Sequence, residues 1–411
     1  MTAAAGRTDS EAAFWPDEAL DVAALRAAGL PRLPFREVLL KVHSRCNLAC
    51  AHCYVYRAAD DTWRDQPRAM SPAVAERACR RIAAHAARHR LSSMRVLLHG
   101  GEPLLAGAEF LDRVVGRLRE LLPSSTRLDV LAQTNGTLVD EEMLRVCHRR
   151  RIQLGVSLDG ERDTHDRQRA RPDGAGSHRA VAETLRLLDS PRHRPLWAGL
   201  LCTVDAASDP AAAYRHLLSY RPPAVDLLLP LGNWGSPPPG RTADPANTPY
   251  ADWLSAFFDL WYREPVQPFR LPFFESVVDL LLGGEASVGT VGGGPSRVVV
   301  VETDGRLTQS DLLKTAYQGA PETGCDVFRH ELDDLLDHPG IVAGQLGRAG
   351  LDGECLRCPV LEVCGGGMYA HRYRPGSGFR NPSVYSPDLR AFIGHVQRTV
   401  TRDLARLARR P

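Results

Sequence analysis

From Phe35 onward, short apolar runs alternate with amphipathic stretches of helical period, and that alternation leaves few folds open to the chain. Strands separated by helix-length segments read as βα units in a parallel sheet, because a parallel neighbour needs a crossover of a dozen residues or more. Six runs qualify, at 38–42, 95–98, 128–132, 152–157, 196–204 and 225–229, and six strands imply a partial (β/α)6 barrel in an α/β fold. Ser71 before Pro72 predicts a capped helix running to about Arg90, and Asp140 before Glu141 and Glu142 predicts another with acid in its first turn. In such arrays chemistry collects on loops at the carboxyl ends of the strands. The polar motifs of this chain fall there.

The first run leads into Cys46-x3-Cys50-x2-Cys53. Soft thiolates packed this closely suit zinc or an iron–sulfur cluster. Three thiolates leave one iron of a four-iron cluster open, and an open position separates a reactive metal centre from a closed structural one. A structural zinc knuckle completed by His43 or His52 is the other reading of the loop.

After the second run comes His99-Gly100-Gly101-Glu102-Pro103, where glycines let backbone approach a ligand closely, as they also would in a tight turn. The third run ends at Thr134 and Asn135, whose hydroxyl and amide suit ribose hydroxyls; an Asn-Gly turn would use the same residues. The fourth ends at Ser157, and Arg169 follows twelve residues later, a distance that returns it to the same rim to bind a carboxylate bidentately. Between them, His165 and Asp166 are candidates for proton transfer or a solvated turn pair. Cys79, Cys147 and Cys202 read as small buried hydrophobes.

A Pro- and Gly-rich stretch at 230–249 marks a boundary. An aromatic helix from Tyr250 to Tyr262 and a hairpin turning on Asp304-Gly305 follow. Then come Cys325 and Cys355-x2-Cys358-x5-Cys364, a strong ligand pattern running into Gly365-Gly366-Gly367 and on to His371 and Arg372. A zinc knuckle using His371 is the alternative here. Of ten cysteines, six are gathered in two close triplets toward the two ends of the chain, which fits metal chemistry in a reducing compartment. The net charge of +2 provides no basic field for nucleic acid. No apolar run approaches the ~20 residues of a membrane span, and the first residues lack a signal pattern, so a cytoplasmic protein is expected.

The triplet loop resembles the cluster loop of radical S-adenosylmethionine (SAM) enzymes, with Tyr54 following the third cysteine. Gly100-Gly101-Glu102-Pro103 is similar to that family's grip on the methionine amino group of SAM. Ser157 and Arg169 match the Ser and Arg that contact SAM in the branch of that family that modifies proteins and peptides. The hairpin and second cysteine cluster resemble the SPASM extension, which holds auxiliary iron–sulfur clusters. The segments 40–46, 312–317, 365–373 and 380–385 most resemble FxsB-like peptide maturases, the cyclophane synthases.

That resemblance implies an N-terminal arm (1–36), a radical SAM partial barrel (37–232), a linker with bridging helices (233–296) and a SPASM-like iron–sulfur domain (297–411). It implies a [4Fe-4S] cluster on Cys46, Cys50 and Cys53 that works with SAM, and one auxiliary cluster on Cys355, Cys358 and Cys364. Ser386 stands where those proteins carry a cysteine, so the fourth auxiliary ligand is left among Cys325, a Ser386 oxygen and the substrate.

The implied activity is radical removal of hydrogen from a side-chain carbon of a ribosomally synthesised precursor peptide, followed by an intramolecular bond to an aromatic ring. Electrons would come from a flavodoxin- or ferredoxin-type donor. His165, Asp166, His371 and Arg372 are candidates for proton handling. The alternatives are a sulfatase-type maturase oxidising Ser or Cys to formylglycine, or a non-catalytic metal-stabilised peptide-binding module.

Overall fold

A computed structural model describes residues 14–409. Its nine strands form one sheet in the order β6-β5-β4-β3-β2-β1-β7-β8-β9. The first six are β1 (Glu37–His43), β2 (Ser93–Gly100), β3 (Arg127–Thr134), β4 (Ile152–Ser157), β5 (Trp197–Thr203) and β6 (Val225–Leu228). All six pair in parallel in sequence order, which makes the expected open barrel. Val38, Leu40 and Val42 on one face and Leu39 and Lys41 on the other are all buried, the signature of a strand covered on both faces.

The helices begin where the sequence placed their caps. Ser71 accepts from the Val74 N–H and starts Pro72–Arg88; Asp140 accepts from the Met143 N–H and starts Glu141–Arg150. Cys79, Cys147 and Cys202 are buried. The N-terminal arm carries a short helix, Val22–Ala27. Residues 1–13 of the expected arm lie outside the described residues; beyond them, Trp15 packs with Tyr373 and Phe379, and the Arg26 guanidinium donates to Asp337 at 2.9 Å.

The Asp-Gly hairpin forms between β7 (Val298–Val301) and β8 (Arg306–Thr308), with β9 (Glu322–Asp326) beside them. β7 pairs in parallel with β1, Leu40 opposite Val301, so the hairpin extends the barrel's own sheet. One apolar core accordingly runs from Phe35 to Val400. The stretch after β6 also packs back: Asn233 donates to Thr315 O at 2.7 Å and Trp234 to Pro382 O at 2.7 Å. The aromatic helix Pro249–Tyr262 has no cap of its own, but Asp388 of the last helix, Ser386–Leu407, accepts from the Tyr250 and Ala251 N–H groups at 3.0 and 3.2 Å. No helix among the described residues is long and apolar enough to cross a membrane.

Candidate functional site

A cavity of about 700 Å³ opens at the carboxyl ends of the barrel strands. Cys46, Cys50 and Cys53 line it from the loop after β1. Tyr54, Gly100, Gly101, Thr134, Asn135, Ser157 and Arg169 line it with them, as do His371 and Arg372 from the far side. Residues drawn from six separate stretches of sequence thus meet at one rim.

The cysteine loop is held by its backbone. Ala49 N–H donates to Ala170 O at 2.8 Å and Ala51 N–H to Gln168 O at 2.7 Å, and Arg45 reaches Trp63 O at 2.9 Å. Gly100 and Gly101 make the close approach that the loop needs. A side chain at Gly100 would meet His43 O at 2.1 Å, and one at Gly101 would meet the Tyr56 hydroxyl and Arg45 O at 1.9 and 2.4 Å. Burial pushes the Cys46 thiol up to about 12 and raises Cys50 and Cys53 as well, so these sulfurs hold their protons until a metal displaces them.

The donor set fits a cluster better than one zinc ion. Tetrahedral Zn–S bonds of ~2.3 Å bring sulfurs roughly 3.8 Å apart. Among the described residues, the one trio of such ligand atoms lying within 4.8 Å of one another is His85, His89 and Asp333, so both cysteine triads are more open than that. Neither histidine of the zinc reading joins the thiols: His43 Nδ1 lies 3.0 Å from Arg45 O, and His52 faces Gln168 and Asp159.

Several residues chosen from sequence turn toward the protein instead of the cavity. Glu102 and Pro103 are buried behind it. The Glu102 carboxylate accepts from the Leu104 N–H at 3.0 Å, the Thr134 hydroxyl at 2.8 Å and the Asn135 N–H at 2.7 Å, while burial pushes its pKa up to about 7. It ties the loop after β2 to the end of β3. Glu102→Ala leaves buried donors unmatched, and a loss of about 3 kcal/mol in urea unfolding of the apo-protein is expected. Unchanged stability with weakened SAM binding would return Glu102 to the ligand-gripping role its motif implied.

Arg169 does bind a carboxylate bidentately, but that of Asp159, with Nε–Oδ2 2.6 Å and Nη2–Oδ1 3.1 Å. His165 is not a solvated residue. Its Nδ1 accepts from the Asp159 N–H at 3.2 Å, its Nε2 lies 3.0 Å from Ser177 Oγ, and burial pulls its pKa down to about 3. It is a neutral brace beneath Asp159, away from the cavity. Asp166 accepts from the His178 N–H at 2.8 Å and so caps the helix His178–Leu188 from a distance. Neither is placed to move a substrate proton.

Arg372 lines the cavity, yet its guanidinium is spent on three carbonyls, Gly365, Gly366 and Gly367, at 3.2, 3.0 and 2.8 Å. These glycines all have positive φ, and a side chain at Gly365 would lie 1.9 Å from Gly293 N. His371 is different. Its ring stacks near Tyr385, its buried Nε2 has no partner, and burial followed by the Arg372 charge pulls it down to about 3. It presents a neutral ring to the cavity.

Cys355, Cys358 and Cys364 line a second, smaller pocket together with Ser386 and Arg390. Cys325 does not join them. It lies on β9, opposite Leu307, and packs against the main core.

The residue that the sequence did not disclose is Asp311. It lies in the turn after β8, lines the cavity and is 1% exposed. Tyr54 OH donates to its Oδ2 at 3.0 Å, Lys41 Nζ lies 3.4 Å from the same oxygen, and Oδ1 is buried without a partner. Burial opposes its ionisation, but Lys41, His99 and Tyr54 outweigh that and hold the carboxyl below its usual range. Lys41 also pairs with Glu302 at 2.9 Å. A lysine inside the apolar run Val38–Val42 was the available signal, because a buried lysine needs a carboxylate.

Comparison with known proteins agrees with this geometry. The model of the radical SAM superfamily matches residues 40–190. The chain is 30% identical to a serine-type anaerobic sulfatase-maturating enzyme of Klebsiella aerogenes over 371 residues, 87% of each chain. It is 26% identical to a cysteine-type enzyme of Clostridium perfringens over 346 residues, 82% of this chain and 89% of the relative. Among solved structures, anSMEcpe with bound AdoMet superposes with a TM-score of 0.74 at 21% identity, covering 89% of this chain and 98% of that one. Streptococcus suis SuiB bound to its precursor peptide SuiA gives 0.57 at 16% identity, over 89% and 78%. These relatives are sulfatase maturases and a peptide-bound enzyme; a cyclophane synthase is not among them. With its thiol triad at the cavity rim and a 30% identity that spans 87% of its length, the chain belongs to the radical SAM superfamily, in the family of the anaerobic sulfatase-maturating enzymes, and is a peptide-modifying enzyme that uses a [4Fe-4S] cluster and SAM.

Proposed function

We propose that this enzyme removes two hydrogens from a ribosomally made precursor peptide, one from a side-chain carbon and one from an aromatic ring, and joins the two carbons in a cyclophane. Cys46, Cys50 and Cys53 hold the cluster, and Tyr54, Gly100, Gly101, Thr134, Asn135, Ser157 and Arg169 surround SAM. Bound SAM and its cluster supply the radical that takes the first hydrogen atom. The observation that carries the reading is Asp311. Every net dehydrogenation of this kind releases a proton and an electron after the first hydrogen atom is taken. The electron would pass to an auxiliary cluster on Cys355, Cys358 and Cys364, and the unpartnered Oδ1 of the ionised Asp311 carboxylate would accept the proton. Tyr54 and Lys41 fix its orientation. His371, neutral and with Nε2 unpartnered, lines the same cavity and offers the peptide a hydrogen bond. The apolar side of the cavity, with Leu228, Leu229, Leu231 and Phe273, gives an aromatic side chain a place beside the reacting one.

A second reading has its own support: the relatives spanning most of the chain are sulfatase maturases, and oxidation of Ser or Cys to formylglycine needs the same proton acceptor. From Ser, both products are two hydrogens lighter, so mass alone does not separate them. Fragmentation of the co-expressed peptide does. A cross-link suppresses backbone fragments between its two residues, whereas an aldehyde leaves the ladder complete and captures a hydrazide. A complete ladder with hydrazide capture replaces the cyclophane assignment with the formylglycine one.

The second pocket takes one auxiliary cluster on Cys355, Cys358 and Cys364, with Ser386 at the fourth position, where it lines the same pocket. Cys325→Ala is therefore expected to leave iron and sulfide content unchanged. Loss of the auxiliary signal in that variant would make Cys325 the missing ligand. Residues 297–411 serve as the auxiliary-cluster unit, the electrons come from a flavodoxin- or ferredoxin-type protein, and the enzyme works in the cytoplasm.

A further inference from the structure

The helix Pro72–Arg88 ends with His85 on its last turn and His89 at its C-cap, four residues apart and therefore on one face. Both rings point at Asp333, in the short turn Leu332–Asp337 from the C-terminal part of the chain. This group lies outside the cavity and has no part in the chemistry described above.

The hydrogen bonds of His85 do not close by themselves. The ring is 1% exposed, and both of its nitrogens face oxygen acceptors: Nε2 lies 3.2 Å from Phe35 O and Nδ1 lies 3.2 Å from Asp333 Oδ2. A neutral imidazole carries one N–H. If Nε2–H goes to Phe35 O, the Nδ1 lone pair is aimed at a carboxylate, a repulsive contact unless a cation lies between them. His89 Nε2 faces the other carboxylate oxygen, Oδ1. The three ligand atoms all lie within 4.8 Å of one another, and a zinc ion with bonds of ~2.0–2.1 Å sets neighbouring donors roughly 3.3 Å apart. A metal-bound histidine characteristically donates its other N–H to a backbone carbonyl, which fixes the ring. His85 already does so with Phe35.

We propose that His85, His89 and Asp333 bind a divalent ion of the zinc class. The ion fastens three parts of the molecule: the segment entering β1 through Phe35, the end of the first barrel helix, and the turn at 332–337. Two nitrogens and one carboxylate form a borderline-soft set suited to zinc, unlike the thiolate sites. His89 and Asp333 are partly exposed, so the remaining position opens to solvent. Arg88, whose Nη1 lies 3.3 Å from Asp333 Oδ2, is more than half exposed and swings outward when the ion is bound.

The test uses holoprotein with its iron–sulfur sites filled, dialysed anaerobically against micromolar zinc chloride and then against buffer. One zinc per chain is expected to remain, with a shell of nitrogen and oxygen alone, including two imidazoles, in zinc X-ray absorption. His89→Ala and Asp333→Asn, both at partly exposed positions, are each expected to lose that equivalent while keeping the iron content. The proposal is overturned if wild type retains no zinc, which leaves a protonated His85 paired with Asp333. It is equally overturned by a shell containing sulfur, or by variants that retain zinc as wild type does. Because the shell is read on the wild type, a variant that fails to fold does not remove the test.

Discussion

Replacement of Cys46, Cys50 and Cys53 together by alanine is expected to reduce 5′-deoxyadenosine formation to the level without enzyme, while the iron of the second site stays bound. Among the described residues, no other close thiol triplet stands at the carboxyl end of a barrel strand. The variant should fold. Its loop is anchored by the Ala49–Ala170 and Ala51–Gln168 backbone bonds and by Arg45 on Trp63 O, none of which involves a thiol. Removal of the sulfurs takes away only the ligands and the stabilisation that metal binding lends to the folded state. Iron analysis, SAM turnover and circular dichroism on one sample separate these effects. Undiminished 5′-deoxyadenosine from a folded triple variant would end the radical SAM assignment for this loop.

The strands were legible because each is a buried apolar run between helices with readable caps; the run at 152–157 matches β4 residue for residue. The thiol triads were legible for a similar reason, since a ligand pattern at fixed spacing carries its chemistry locally. What the sequence did not carry was the choice of partner. Glu102, Arg169, His165, Asp166 and Arg372 were each recognised as polar groups near a rim. Each is occupied, by backbone N–H groups, by Asp159, by Ser177, by the His178 helix and by three glycine carbonyls respectively. A side chain's hydrogen-bonding capacity is visible in sequence; whether protein or ligand fills it depends on contacts between distant segments. The pairing of β7 with β1 is of that kind, and it brings Glu302 beside Lys41. Asp311, 270 positions from Lys41, reaches the cavity through the same pairing.

Asp311→Asn is expected to lower peptide product by at least ~100-fold, the usual scale for losing a positioned proton acceptor, while 5′-deoxyadenosine continues to form. The amide has nearly the shape of the carboxylate, so Tyr54 keeps an oxygen to donate to. Lys41 keeps Glu302 at 2.9 Å, and the buried pair stays neutral, so the substitution leaves no uncompensated buried charge. What it removes is the basicity of the buried, unpartnered Oδ1. The uncoupling follows from the order of events: hydrogen abstraction needs no base, whereas formation of either product must shed a proton. The wild-type pH profile should agree. A carboxyl held below its usual range accepts protons at every pH above that range, so Asp311 contributes no loss of activity between about pH 5 and 8, and its protonation limits turnover only in stronger acid. The informative quantity is the ratio of modified peptide to 5′-deoxyadenosine. If Asp311→Asn leaves that ratio unchanged, the proton goes elsewhere, and His371, another residue of the cavity wall with an unpartnered basic nitrogen, becomes the residue to replace next.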